Sequence, residues 1–175
     1  MQTYSLSQLN LLALPSLDLL TPYGWGVVSE LPSEPGCYVC VCSVAKRRTL
    51  PHRHPVKQRA MVNAAVDILG DRAREVVAIT EQGKIANVLL YIGYSKDLWN
   101  RWNGRSEHHK QGDLMLMCNL MNAAFDVRSF RLHWMLARSG QDAKAIEDRL
   151  IPLWNPILNG RKPLIPPPPK PVALH

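Results

Sequence analysis

Two short stretches hold the residue types that could do chemistry. "PGCYVC" at 35–40 and "LLYIGYS" at 89–95 each set a tyrosine and a glycine at the edge of an apolar run. A phenol titrates near pH 10, so Tyr38 or Tyr91 could serve as a base only with a proton acceptor or cations close by. The ordinary meaning of a strand tyrosine is packing. The cysteines of the first stretch carry less information. Cys37 and Cys40 have a C-x-x-C spacing, but on a strand they point to opposite faces, while Cys40 and Cys42 share one. No second C-x-x-C or H-x-x-x-H completes a zinc site. Cys37, Cys40, Cys42 and Cys118 therefore read as buried thiols of a cytoplasmic protein rather than as disulfides.

The charge is unevenly placed. The chain of 175 residues is +7 overall, yet its first 45 residues contain no Lys or Arg and three acids, Asp18, Glu30 and Glu34. The remainder is strongly basic, which points to a polyanionic partner, with nucleic acid the first candidate. The leucine-rich opening lacks a positive leader, and Pro15 and Asp18 interrupt it, so it does not read as a signal peptide. No stretch has the length needed to span a membrane.

Elements that would position the two tyrosines follow from the hydrophobic pattern. Residues 36–44, after a Pro-Ser-Glu-Pro turn, read as a strand, and "NVLLYIGYS" reads as a second. Between them, "VKQRAMVNAAVDILG" repeats apolar residues at Val56, Ala60, Met61, Ala64 and Ile68, near helical spacing, with Gly70 as a stop. "REVVAIT" fits either a helix or a short strand. Ser95 is placed to cap a helix through about 103, interrupted at Gly104, and "DLMLMCNLMNAAF" reads as a buried helix. "FRLHWMLA" at 130–137 alternates like a third strand, and "QDAKAIEDRL" sets Ala143, Ile146 and Leu150 on one helix face, with Pro152 expected to end or bend it. Trp99 and Trp102 are expected to pack in the core. The expected fold is α+β: a small three-stranded antiparallel sheet flanked by helices, one domain over 1–160, with a basic helical insertion at about 45–86. A Pro-rich tail, 161–175, reads as extended chain and as a candidate ligand for a partner domain.

In this order the residues resemble the GIY-YIG nucleases. The chain has Gly36-Cys37-Tyr38, then Tyr91-Ile92-Gly93, then Arg101, then the strand "FRLHWMLA", then Glu147 on a helix, and last Pro156-Ile157-Leu158-Asn159. The resemblance covers 35–44 and 88–160. It implies a DNA endonuclease that hydrolyses phosphodiesters with one divalent metal, Mg²⁺ or Mn²⁺, held by Glu147. It further implies that Tyr38 positions or deprotonates the attacking water, Tyr91 orients the phosphate, and Arg101 binds the scissile phosphate. Gly36 and Gly93 would allow close backbone approach, and Asn159 would order the site. Hard oxygen ligands suit such a metal, and a planar guanidinium suits a phosphate.

Two departures from the family pattern stand out. The position four residues after the helix arginine, commonly His or Tyr, is Arg105, so the proton-acceptor role falls to His108 first and His109 second, with Lys96 or solvent as a substitute, and Lys96 and Arg105 count among the expected DNA-binding cations. The separation of 53 positions from Tyr38 to Tyr91 is also far more than the family usually has. Within the extra segment, the run 46–59 carries Lys46, Arg47, Arg48, Arg53, Lys57 and Arg59 and no acid, which suits a grip on the DNA backbone. The expected setting is restriction or defence, with a homodimer where both strands are cut. The alternatives are a catalytically silent nucleic-acid-binding module on the same fold, or a partner-binding protein that works through its tail.

Overall fold

The computed structural model describes residues 14–21, 24–25, 30–48, 56–103 and 108–159. The elements in chain order are β1 (Ser16–Asp18), β2 (Leu20–Thr21), β3 (Gly24–Trp25), β4 (Gly36–Arg47), α1 (Val56–Leu69), α2 (Arg72–Glu81), β5 (Ala86–Ser95), α3 (Leu98–Asn103), α4 (His108–Ala124), β6 (Phe125–Leu136) and α5 (Gly140–Trp154). The protein is α+β. Its main sheet is antiparallel and has four strands in the order β1-β6-β4-β5, while β2 and β3 form a separate two-stranded ribbon. The three expected strands are present as neighbours, β6-β4-β5. The fourth, β1, comes from the opening segment and pairs Leu17 with Leu132 at the outer edge of β6.

The sheet is covered on both faces. Tyr38, Cys40, Cys42 and Val44 of β4 join Phe130, Leu132 and Trp134 of β6 in a core closed by α1, α2, α3 and α4. Cys37, Val39, Val41 and Ile92 point the other way, against Ile146, Leu150, Ile151 and Trp154 of α5. This double burial explains why 36–44 is a continuous apolar run rather than an alternating one. It also places Cys37 and Cys40 on opposite faces, and all four cysteines are free and buried.

Several local expectations are corrected. Of the two readings open for "REVVAIT", the helix holds, within α2. The buried stripe of α1 is Val62, Ala65 and Leu69, whereas Val56 and Ala60 at its start are exposed. Gly70 does stop α1: it has φ +57, a left-handed conformation suited to glycine, and its N–H bonds to the Val66 carbonyl at 2.9 Å. Ser95 does not cap α3. It ends β5 and bonds to the Asp97 backbone, while Asp97 takes the capping role, its Oδ1 accepting from Asn100 N at 2.8 Å. Pro152 does not end α5, which runs on to Trp154. The stop is Asn155, left-handed at φ 45, whose N–H bonds to the Ile151 carbonyl at 2.7 Å.

Candidate active site

One irregularity decides where Tyr91 points. In the β4–β5 ladder Cys40 pairs with Tyr91 and Val41 with Leu89, so Leu90 is an extra residue, a β-bulge. The bulge resets the alternation of β5. Leu90 and Tyr91 thereby both join the core face that carries Tyr38, while Leu89 and Ile92 face α5. In a regular strand Tyr91 would have pointed away from Tyr38.

The outer edge of β5 is held by the chain's last described residues. Ile157 N and Leu158 N donate to the carbonyls of Leu89 and Leu90 at 3.2 and 2.8 Å. Asn159 then acts like a piece of strand: its Oδ1 accepts from Ile92 N and its Nδ2 donates to Ile92 O, both at 2.8 Å. Asn159 thus orders the strand beside the site rather than lining the cleft. The edge cover reaches Ile92, and the cleft lies at the C-terminal end of the same strand.

That cleft, about 370 Å³, is lined by Tyr38, Tyr91, Tyr94, Lys96, Arg101 and Glu147, among others. Because β5 is an edge strand, residues from both sheet faces reach it: the tyrosines from the helix-rich face and Glu147 from α5 on the other. Four residues far apart in the chain therefore meet. The Tyr38 and Tyr91 rings lie 6.1 Å apart, tilted by 45°. Arg101 Nε donates to the Tyr38 hydroxyl at 3.1 Å. Trp102 meets the Tyr38 ring edge-on at 5.3 Å, which fixes the phenol from behind.

Both glycines are sterically required. A Cβ on Gly93 would lie 2.5 Å from Tyr38 Cζ and from its hydroxyl, and 2.8 Å from Tyr91 Cε1. A Cβ on Gly36 would meet Leu98 Cδ1 at 2.6 Å and the Met135 carbonyl at 2.7 Å. Gly36 thus lets α3 dock, and α3 carries Arg101.

The two phenols differ in how readily they ionise. Tyr38 is 1% exposed, and burial first, then the neighbouring Tyr91, push its phenol well above the ordinary range against the pull of Arg101. Tyr91 is 8% exposed. Burial pushes it up to about 12, opposed by Arg101, with Glu147 adding to the rise and a hydrogen bond from Tyr38 working against it. Both are protonated at neutral pH, and Tyr91 gives up its proton more readily.

Glu147 is a mostly buried carboxylate, 8% exposed. Lys144 Nζ stands 3.0 Å from its Oε2 and also bonds to Asp148. The same ammonium sits 5.5 Å from the centre of the Tyr94 ring. Among the described residues no group of three or more His, Cys, Asp or Glu could hold a metal ion. A cation at Glu147 would therefore have one protein carboxylate and complete its shell from water and substrate, an arrangement Mg²⁺ tolerates well.

The other expected site residues are distributed unevenly. Lys96 lines the cleft, and a Cβ on Gly140 would lie 2.7 Å from its Cγ. His108 and His109 open α4, but their side chains lie outside the described residues, as do Arg53, Arg105 and the tail 161–175. The described residues of the basic run do not line the cleft. Lys46, Arg47 and Arg48 are exposed at the far end of β4, starting eight residues beyond Tyr38, or about 26 Å at ~3.3 Å per residue. Arg48 is spent in part on the Phe125 carbonyl at 2.9 Å. Lys57 and Arg59, in the first turn of α1, are exposed and do not line the cleft.

The two tryptophans part company: Trp102 is buried, while Trp99 is 41% exposed. A six-residue helix buries one stripe, here Leu98 and Trp102 at i and i+4, and that turns Trp99 outward. Sequence reasoning missed Tyr94, Asp97, Asn100 and Lys144. Only Lys144 had a signal, its spacing of three from Glu147 and four from Asp148 on one helix. Comparison of the chain with protein-family models, with curated proteins and with solved structures gives no match.

Proposed function

We propose that the protein is a GIY-YIG-type endonuclease that hydrolyses DNA phosphodiesters with one divalent metal ion. The observation that supports this reading best is the convergence of Tyr38, Tyr91, Arg101 and Glu147 on one cleft, although 53 positions separate the two tyrosines. A packing role alone gives no reason for a guanidinium to bond a buried phenol beside a buried carboxylate.

In this reading Arg101 does two jobs. One of its five donors holds the Tyr38 hydroxyl, and the planar fork faces a phosphate in the cleft. Tyr38, protonated and locked between Arg101 and Trp102, positions the attacking water. Tyr91, the phenol with the weaker hold on its proton, is the better candidate to accept one from that water. Lys96 supplies positive charge on the rim. Glu147 would hold Mg²⁺ or Mn²⁺, whose chemistry would be neutralising charge on the phosphate and the leaving oxygen. The basic end of β4 then serves as a remote grip on the DNA backbone.

Incubation with supercoiled plasmid and Mg²⁺ tests the reading. The wild-type protein is expected to nick the plasmid, and Glu147→Gln, with an unchanged circular dichroism spectrum, is expected to lose at least about 10²-fold in rate. Plasmid binding without nicking by the wild type would instead identify a silent nucleic-acid-binding module.

A further inference from the structure

We propose that Lys144 is the resident counter-ion of Glu147, and that a divalent cation must displace it to occupy the cleft. The inference rests on the metal role proposed for Glu147 and adds a gate to it. The Lys144 ammonium is held by Glu147 Oε2 at 3.0 Å, by Asp148 Oδ1, and by the Tyr94 ring at 5.5 Å from its centre. The i, i+3 and i, i+4 spacing on α5 makes this fork inherent in the helix.

A mostly buried carboxylate needs a compensating charge. In this structure Lys144 supplies it, standing within hydrogen-bond distance of the carboxylate a metal would use. Because the ammonium bridges Glu147 and Asp148, it must be moved before a cation can take the Glu147 oxygen. Displacement does not strand it. Asp148 and the Tyr94 ring remain as anchors, and Tyr94 lines the cleft, so the released ammonium stays at the rim, where a phosphate would pass. One lysine would thus neutralise Glu147 before the metal arrives and face the substrate afterwards.

The test is direct Mn²⁺ titration of the full chain, following the electron paramagnetic resonance signal of free Mn²⁺. It compares wild type, Lys144→Met, Lys144→Arg, Glu147→Gln and the double variant Lys144→Met/Glu147→Gln. Removing a partly exposed charge this close to the ligand is expected to tighten Mn²⁺ binding about five- to tenfold in Lys144→Met. Lys144→Arg should keep the weak wild-type affinity, and both proteins carrying Glu147→Gln should lose the site. Equal affinities for wild type and Lys144→Met, with binding lost in Glu147→Gln, would overturn the counter-ion role while leaving the metal site intact. A gain that persists in the double variant would also overturn it, since the effect would then lie elsewhere. Absence of Mn²⁺ binding in every protein, Lys144→Met included, would overturn the metal reading and this inference together.

Discussion

At the residue scale, the proposed hydrolysis turns on which phenol can lose a proton. Tyr38 is enclosed by Arg101 and Trp102, and Tyr91 stands nearer the open cleft with its phenol at about 12. A base with so high a resting value is active only in its small deprotonated fraction, and that fraction grows tenfold per pH unit below 12. The expected plasmid-nicking rate, measured at subsaturating DNA, therefore rises with pH from about 7 to about 9 with a log slope near one. Tyr91→Phe should flatten the profile as well as lower the rate. A bell with its maximum near pH 7 would instead point to a group of ordinary histidine range.

At the element scale, β5 is the strand on which the site depends, and it is irregular as well as an edge. The bulge at Leu90 aims Tyr91, and residues 157–159 close the exposed ladder beside it. Asn159 carries the end of that closure with two 2.8 Å hydrogen bonds to Ile92, a residue with no exposed surface. Asn159→Ala leaves the Ile92 N–H and C=O without that amide, a loss of about 1–3 kcal/mol. Urea unfolding should register it as a lower midpoint with unchanged slope. Asn159→Asp should recover only part, because a carboxylate can accept from Ile92 N but cannot donate to Ile92 O. An unaltered midpoint in Asn159→Ala would mean that water replaces the amide at that edge.

At the scale of the whole molecule, the buried phenols and thiols make stability depend on alkaline pH. Burial pushes Cys37 from about 9 to about 12 and Tyr91 from about 10 to about 12. Tyr38, Cys40, Cys42 and Cys118 shift in the same direction. Each raised value means that the unfolded chain releases its proton first, so unfolding releases protons once pH passes about 9. The stabilisation is fully present below that point and is lost as pH climbs toward about 12. Urea midpoints should hold steady from about pH 7 to about 8.5 and fall from about 9 upward. The distance between the basic end of β4 and the cleft has its own consequence. Lys46→Ala with Arg47→Ala should reduce the salt slope of DNA binding by about 0.9 for each phosphate no longer neutralised, while the single-turnover rate at saturating DNA stays near wild type. A drop in that rate would place those side chains at the reacting phosphate.

Hydrophobic pattern and residue order were enough to read the α+β class, the three long strands, the separation of Cys37 from Cys40, and the glycine stop at Gly70. These follow from local rules of periodicity and backbone freedom that the chain carries residue by residue. The cap at Asp97 rather than Ser95, and the turning out of Trp99, escaped because adjacent residues compete for one role and packing selects the winner. β1 escaped because a three-residue strand leaves almost no periodic trace. The tertiary structure alone decided which way Tyr91 faces, since "LLYIG" is apolar throughout and a bulge in such a run is set by pairing with β4 and by the 157–159 cover. It also decided that Lys46, Arg47 and Arg48 begin about 26 Å from Tyr38 along an extended strand. Charge summed along a sequence reports how much there is, but only the fold determines where it stands relative to the chemistry.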